Sequence, residues 1–320
     1  MMLLKNPILV LKKANYAIAI LRPRDWVRKI NYTIKMLRPK HWVKNLYLFA
    51  PMFFSGAVPD AKSFFSVAAG FILFSSAASS IYILNDIVDL EKDKLHPKKR
   101  LRPLAAGCLD KNIIIITGII LLILTLYFSF FLNFNFFLLV ILYILINISY
   151  CFALKKIPIV DISIISIGFI IRVLAGGELA LLEVSQWLMI MIYLLSLFLA
   201  LGKRRDDLVL IQSKQADQNV RTSIKGYNFD FVQVALSIMA TVIIVCYIMY
   251  ITSSEVVERF NNKYAYFNLV FVVSGVLRYL QLAYLNNNTG SPVRILLTDI
   301  FIQICVLCWV LSFVYFLYIK

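Results

Sequence analysis

Long apolar runs constrain this chain more than any other feature of its sequence. Several runs of about twenty residues, the length that crosses a bilayer, recur along it. They lack the strict alternation of barrel strands, and 61% of all residues are hydrophobic, with a mean hydropathy of +0.81. The sequence therefore predicts an all-α integral membrane protein with nine transmembrane helices. The predicted spans are 43–58, 63–86, 112–132, 134–153, 157–178, 186–203, 230–252, 265–284 and 293–318.

Positive charge is distributed unequally between the two sides of these spans. All but a few of the 33 lysines and arginines fall in the N-terminal segment and in alternate connections. Because connections rich in Lys and Arg stay in the cytoplasm, we expect the N-terminus and these connections on the cytoplasmic side of a cell (inner) membrane. Topology and contact with membrane lipids then explain the net charge of +16, and no nucleic-acid partner is predicted.

The first 36 residues differ from the rest of the chain. They contain no long apolar run, so no signal peptide is predicted. A motif occurs twice, as YAIAILRPRDWVRK from Tyr16 and as YTIKMLRPKHWVKN from Tyr32. Basic residues interleaved with Trp and Tyr are typical of a helix that lies in the headgroup layer. We therefore predict a basic amphipathic N-terminal extension, 1–36, and a transmembrane domain, 37–320.

Three carboxylates follow the second predicted span, in the stretch NDIVDLEKDKLHPKKRLRP that begins at position 85. Asp86, Asp89 and Asp93 are spaced i, i+3 and i+7, so on a helix they fall within roughly 60° of one another. Such carboxylates repel one another unless a cation lies among them, and Mg²⁺ held by carboxylates completes its shell with phosphate oxygens. The motif predicts Mg²⁺ bound by these three residues and a diphosphate bound to the metal. The neighbours expected to bind substrate are Asn85, Lys99, Arg100 and Arg102.

A second polar cluster ends the sixth predicted span, in the sequence LALGKRRDDL. Lys203 and Asp207 are spaced i, i+4 and are expected on one face, as catalytic residues. Arg204 beside them is expected to bind a phosphate. Charged helix ends are common, but this one is predicted on the same side of the membrane as the carboxylates. Further substrate-binding candidates at that side are Lys44, Tyr150, Lys155 and Asp161, with Arg38 and Lys40 close to Lys44 in sequence.

Other charged residues lie inside predicted spans, where they are costly unless paired or facing water. Arg172 is expected to face a cavity and bind substrate, and a structural ion pair is the alternative. Arg278 and Asp299 can form an ion pair with each other. His41 and His96 are too few and too far apart to predict a metal centre.

The ordered motifs resemble those of the UbiA superfamily of intramembrane prenyltransferases. The matching stretches are LRPKHWVKN (37–45), NDIVDLEKDKLHPKKRLRPLAAG (85–107), IRVLAGG (171–177) and LGKRRDDL (201–208). The resemblance implies nine helices, a cavity facing the cytoplasm, and a metal site at the aspartates. The chain departs from ordinary members at the sixth helix, where they carry a second D-x-x-x-D and this sequence reads KRRDDL.

Within the superfamily the motifs are most similar to the branch that transfers phosphoribosyl groups to polyprenyl phosphates. This similarity implies an Mg²⁺-dependent transfer from phosphoribosyl pyrophosphate to a decaprenyl-like phosphate, with release of pyrophosphate. Cations in the second cluster suit two anionic substrates bound together. One alternative is a prenyltransferase that moves a prenyl group from a prenyl diphosphate to an aromatic acceptor, and another is a non-catalytic scaffold or transporter. The sequence makes no prediction of the oligomeric state.

Overall fold

The computed structural model describes residues 23–56, 60–95, 99–212, 224, 226–260, 264–286, 295 and 298–319. These residues form helices, and no strand occurs among them. The α-helices are α1 Pro23–Leu37, α2 Ala50–Phe54, α3 Ala61–Val88, α4 Leu90–Leu95, α5 Lys111–Leu132, α6 Phe134–Phe152, α7 Val160–Ala180, α8 Gln186–Gln212, α9 Phe229–Ile251, α10 Ser254–Phe260, α11 Leu269–Asn286 and α12 Ile300–Val314. The 3₁₀ helices are Pro39–Phe49, Lys99–Leu101, Leu154–Lys156 and Ala265–Asn268, and the π-helical segment Tyr315–Ile319 follows α12.

Eight helical segments of the described chain are long and apolar enough to cross a membrane. They contain α3, α5, α6, α7, α8, α9, α11 and α12, so the prediction of an all-α integral membrane protein is confirmed. The count of nine is not. In place of the first predicted span, 43–58, the structure has the 3₁₀ helix Pro39–Phe49 and the five-residue helix α2. The predicted boundary at residue 36 lies one residue before the end of α1 at Leu37, and residues 1–22 of the predicted extension lie outside the described chain.

Short polar side chains fix where several spans begin. Asp60, Asp110, Asn133 and Asn228 each precede a spanning helix, and each accepts a hydrogen bond from a backbone N–H of its first turn. The Asn133 Oδ1 to Phe136 N distance, for example, is 2.8 Å. Because the first N–H groups of a helix have no partner within the helix, these caps set the start of each span in the sequence.

The helices α3 and α7 form the centre of the bundle. In their spanning windows 56% and 61% of the residues are buried, against 22% in α5 and 28% in α6. Small residues make this possible, since α3 carries the run SSAASS from Ser75 to Ser80 and small residues let membrane helices approach closely. The polar residues at the C-terminal end of α3 therefore meet several other helices.

The helix α7 and the 3₁₀ helix Pro39–Phe49 approach each other closely in this centre. A Cβ atom added to Gly176 would lie 1.9 Å from the backbone oxygen of Leu48. We expect Gly176→Ala to destabilise the protein by about 1–3 kcal/mol, because backbone cannot move aside as a flexible side chain can. Gly275→Ala is the control, since its Cβ would meet Cys305 at an ordinary 3.7 Å. Equal unfolding temperatures for the two variants in detergent would contradict this packing.

Candidate functional site

Two of the three motif aspartates meet at the C-terminal end of α3. Asp86 and Asp93 are 3% and 2% exposed, and both accept hydrogen bonds from the same atom, Arg102 Nη1. The distance to Asp86 Oδ1 is 2.8 Å. We call these two residues the inner pair. Their carboxylates converge on one position, which a positively charged nitrogen holds.

The third aspartate, Asp89, pairs with a different cation. Lys155 Nζ lies 2.7 and 2.8 Å from the two carboxylate oxygens of Asp89, and 3.4 Å from Asn85 Oδ1. We call Asn85 and Asp89 the outer pair. The three carboxylates therefore do not share one cation in this structure, and their joint binding of a metal ion stays a prediction. Within the described chain, no three His, Cys, Asp or Glu side chains lie close enough together to hold a metal ion.

Arg38 also contacts the inner pair. Its Nη2 donates to Asp86 Oδ1, and its guanidinium lies over the Tyr82 ring, 4.8 Å from the centroid. Its backbone is left-handed, with φ 53°, directly before Pro39, where most residues are extended. The sequence placed Arg38 near the site, but only the tertiary structure shows that it contacts Asp86.

The other residues predicted beside the aspartates are placed less specifically. Lys99 Nζ lies 3.9 Å from Asp93 Oδ1, Arg100 is exposed, and Tyr150 is half-buried near the end of α6. All three lie at the same end of the bundle as the inner pair. Arg102 is the member of this group that contacts both aspartates.

The second predicted cluster is built around a buried ion pair. Asp161, with no exposed surface, accepts hydrogen bonds from Arg204 Nε at 2.8 Å and from Tyr227 Oη at 2.7 Å, and its Oδ2 lies 2.7 Å from Arg204 Nη2. Arg204 is 1% exposed and also donates to Asp207 Oδ2 at 3.2 Å. Tyr227 Oη in turn accepts from the backbone N–H of Ile159. This network joins the start of α7 to the end of α8 and to the turn before α9.

The residues predicted to bind substrate at this cluster differ in their accessibility. Asp161 and Arg204 were predicted to bind substrate, but both are buried against each other. Burial and the hydrogen bond to Asp161 raise the pKa of Tyr227 to about 12, so its hydroxyl keeps its proton. Lys203 is exposed and Asp207 is half-buried, so these two predicted catalytic residues are the accessible members of the cluster. The sequence signal for Tyr227 was its place in GYNFDF, beside two aromatic residues.

Arg172 is buried and makes hydrogen bonds to other residues of the bundle. It is 5% exposed and donates to Asn45 Oδ1 at 2.7 Å, to the Gly168 carbonyl at 2.6 Å and to Tyr143 Oη at 3.1 Å. Its guanidinium also lies 5.1 Å from the Phe74 ring centroid. An ion pair of Arg172 is not observed within the described chain, and its contact with a substrate stays a prediction. The guanidinium ties the 3₁₀ helix to α6 and α7.

Four basic side chains gather around His41 at this end of the bundle. The imidazole is accessible but lies in a recess, and burial lowers its pKa to about 4, together with the charges of Lys44, Arg38, Lys203 and Arg102. The half-buried Lys44 makes no hydrogen bond or ion pair with the described residues. We call His41 and these four cations the basic cluster.

The lowered pKa of His41 predicts how stability depends on pH. Its pKa falls from 6.5 to about 4 on folding, so between these values the unfolded chain binds a proton that the folded chain does not. Stability is therefore lost as the pH falls through this range. We expect His41→Gln to remove this loss. The unfolding temperature of the variant minus that of wild type should therefore increase as the pH is lowered from 6.5 to 4.5. A constant difference across that range would contradict the assignment.

Two further predictions concern a cavity and an ion pair. The structure has an open surface groove of about 420 Å³, but apolar side chains such as Ala69, Ile72 and Phe131 line it, far from the inner pair along α3. It is not the predicted central cavity, which is not confirmed.

The predicted pair of Arg278 and Asp299 is confirmed, with Nη2 and Oδ2 2.8 Å apart. The hydrogen bond from Arg278 lowers the pKa of Asp299.

Known proteins resemble this chain in sequence and in fold. A sequence model of the UbiA prenyltransferase family matches residues 46–302. The decaprenyl-phosphate phosphoribosyltransferase of Mycolicibacterium smegmatis is 34% identical over 306 residues, 92% of this chain and 89% of the relative. The enzyme of that name from Corynebacterium glutamicum is 32% identical over 310 residues, 96% of this chain and 88% of the relative.

Solved structures show the same fold. A UbiA homolog from Archaeoglobus fulgidus bound to GPP and Mg²⁺ superposes with a TM-score of 0.65, covering 89% of this chain and 99% of the other. The same homolog bound to DMAPP and Mg²⁺ gives a TM-score of 0.64. Their identities to this chain are 16% and 15%, so the likeness establishes the helical arrangement and no more.

Proposed function

Since this chain belongs to the UbiA prenyltransferase family and is a membrane-embedded transferase, we propose that it transfers a 5-phosphoribosyl group from phosphoribosyl pyrophosphate to a polyprenyl phosphate. The names of the mycobacterial and corynebacterial relatives support the transferred phosphoribosyl group and the polyprenyl phosphate acceptor. Their length matches this chain almost completely, so the similarity is not confined to one motif. The product would be a polyprenyl phosphoribosyl phosphodiester, formed with release of pyrophosphate.

The basic cluster is the observation that carries this proposal. Four cations act on His41; two of them, Arg38 and Arg102, pair with the inner pair, and Lys44 makes no hydrogen bond or ion pair with the described residues. Cations gathered at one place can bind anions, and phosphoribosyl pyrophosphate and a lipid phosphate both supply them. A single prenyl diphosphate with a neutral aromatic acceptor would leave more of this charge unmatched.

The donor atoms beside the cluster fit Mg²⁺. The oxygens of Asp86 and Asp93 converge on the position of Arg102 Nη1, and the outer pair converges in the same way on Lys155 Nζ. Carboxylate and amide oxygens are the ligands that this metal prefers. We propose that the inner and outer pairs hold Mg²⁺ together with the diphosphate. When bound, the metal neutralises charge on the leaving group.

The chain's own residues bind and orient the substrates. Arg102 and Lys155 lie where they can donate to diphosphate oxygens, and the accessible Lys203 and Asp207 lie on the opposite helix for a phosphate and a ribose hydroxyl. A phosphate oxygen of the lipid attacks ribose C1, and the bond from C1 to the diphosphate breaks with both electrons leaving on pyrophosphate. Because the nucleophile is already an anion, no general base is required. Catalysis then consists of positioning and charge stabilisation.

The proposed orientation places this end of the bundle in the cytoplasm, where Mg²⁺ and phosphoribosyl pyrophosphate are present. Lys and Arg concentrate in the connections at this end, which supports the orientation by the positive-inside rule. Attachment of a cysteine-reactive probe at Glu91→Cys from the cytoplasmic side only would support it. Attachment from the outside only would reverse it.

Transfer of label into lipid tests the function directly. Membranes that contain the protein receive Mg²⁺, ribose-labelled phosphoribosyl pyrophosphate and a polyprenyl phosphate, and the label extracted into organic solvent is followed. We expect lipid-linked label that requires both the metal and the acceptor. If none forms while a labelled prenyl diphosphate does react with an aromatic acceptor, the chain is instead a prenyltransferase.

A further inference from the structure

The 3₁₀ helix Pro39–Phe49 has three rows of side chains, each with its own surroundings. A 3₁₀ helix has 3.0 residues per turn, so residues three apart lie above one another. One row, Trp42, Asn45 and Leu48, faces the bundle: Trp42 Nε1 donates to a serine of α3 at 3.1 Å, and Asn45 and Leu48 are buried. A second row, Lys40, Val43 and Leu46, is exposed, Val43 at 45% and Leu46 at 52%.

The third row carries the basic residues. Arg38, His41 and Lys44 follow one another at intervals of three, beginning at the residue that caps the helix. In an α-helix the same three residues would spread over roughly 120° around the axis. In the 3₁₀ conformation they form one line, with about 6 Å of rise between successive members. The charges of Arg38 and Lys44 both act on His41, as expected for neighbours in a line.

The length of this helix is unusual, since 3₁₀ runs beyond three or four residues are uncommon. Specific contacts hold it in place. The hydroxyl of Ser79 donates to the Leu37 carbonyl at 2.8 Å and accepts from Trp42, and Asn45 Nδ2 donates to Ser75 Oγ at 2.8 Å. The Tyr82 ring contacts the first two members of the basic row, with its centroid 5.5 Å from that of the His41 ring.

We propose that the basic row Arg38, His41 and Lys44 binds a phosphate group of a substrate, and that the 3₁₀ conformation exists to align these three side chains. The inference rests on the proposed function and adds His41 and the register of the helix to it. Lys44 has no hydrogen-bonding or ionic partner in the described chain, and His41 has an accessible ring, so both have donors or acceptors to offer. Arg38 joins the row to Asp86. The phosphate is that of the lipid acceptor or one of the donor's phosphates.

Binding measurements on the purified protein in detergent test the row. The probes are phosphoribosyl pyrophosphate with Mg²⁺ and farnesyl phosphate, each titrated alone by calorimetry. The variants are His41→Ala, Lys44→Ala, Lys44→Arg and the exchange Val43→Lys with Lys44→Val, which keeps the composition but moves the charge to the exposed row. Lys40→Ala is the matched control, because it removes a cation of the same helix from that exposed row.

We expect Lys44→Ala and the exchange variant to weaken binding of one probe roughly tenfold, the effect of a lost charge-assisted hydrogen bond. His41→Ala should weaken the same probe, Lys44→Arg should retain most of the affinity, and Lys40→Ala should bind like wild type. The affected probe identifies which phosphate the row binds. Equal weakening by Lys40→Ala, or wild-type binding by the exchange variant, would show an unspecific charge effect and overturn the proposal.

The outcome is independent of the test of function. Thermal unfolding shows which variants are folded, and if the exchange variant is not, Lys44→Gln replaces it. If the protein binds farnesyl phosphate through this row but transfers no phosphoribosyl label, the proposal for the row is supported and the proposed donor is contradicted. If every variant of the row transfers label and binds both probes as wild type does, the proposed function stands and the proposal for the row is contradicted.

Discussion

We expect Asp86→Asn to lower the rate of phosphoribosyl transfer by roughly 10²- to 10³-fold, as removal of a charge at a reacting centre does in other enzymes. The substitution preserves the shape of the side chain but removes the negative charge that Arg38 and Arg102 share. It also removes one of the two carboxylates proposed to hold Mg²⁺. The measurement is the initial rate of label transfer into lipid at saturating substrates.

A carboxylate of the same segment provides the matched control. Glu91 lies on α4, is 80% exposed at its side chain, and pairs with Lys94 Nζ at 2.7 Å. Its change to Gln removes an equal charge a short distance from the inner pair, and the rate should stay within about twofold of wild type, since exposed ion pairs contribute little. A similar loss in both variants would mean that the general field of the segment matters and the position of Asp86 does not.

The spans were predictable because their signal is local. Apolar runs, capping residues such as Asp110 and Asn133, and the small residues of α3 all lie within the segments that they determine. The predicted span 112–132 and the observed Lys111–Leu132 differ by one residue. The first predicted span is not confirmed as a spanning helix, because contacts with α3 and α7 hold much of it as a 3₁₀ helix against the usual preference.

The site was predictable in its residue types but not in its pairings. The spacing of the aspartates indicated a cation site, yet Asp86 meets Arg38, which is 48 residues away, and Asp89 meets Lys155, which is 66 residues away. Local spacing predicted one shared cation, whereas Arg102 contacts Asp86 and Asp93 and Lys155 contacts Asp89. Partners this distant in sequence are set by tertiary packing, so the sequence identified the charges at this end of the bundle and left their partners open.

The buried ion pair of Asp161 and Arg204 leads to the largest expected change in stability. We expect Asp161→Asn to lower the free energy of unfolding by about 3–5 kcal/mol, because it leaves the guanidinium of Arg204, 1% exposed, without its main counter-charge. The hydroxyl of Tyr227 would also lose its charged acceptor. Denaturant titration in detergent micelles measures the change.

The same substitution at Asp299 separates burial from charge. Asp299 pairs with Arg278, which is 33% exposed, and it also caps α12 through the backbone N–H of Ile302 at 3.0 Å. Asn keeps the cap, so Asp299→Asn should cost no more than about 1 kcal/mol. If Asp161→Asn were equally mild but raised the KM for phosphoribosyl pyrophosphate, Asp161 would be a substrate ligand, as the sequence predicted. A large loss of stability would instead make it the anchor that fixes α8, and with it Lys203 and Asp207, against α7.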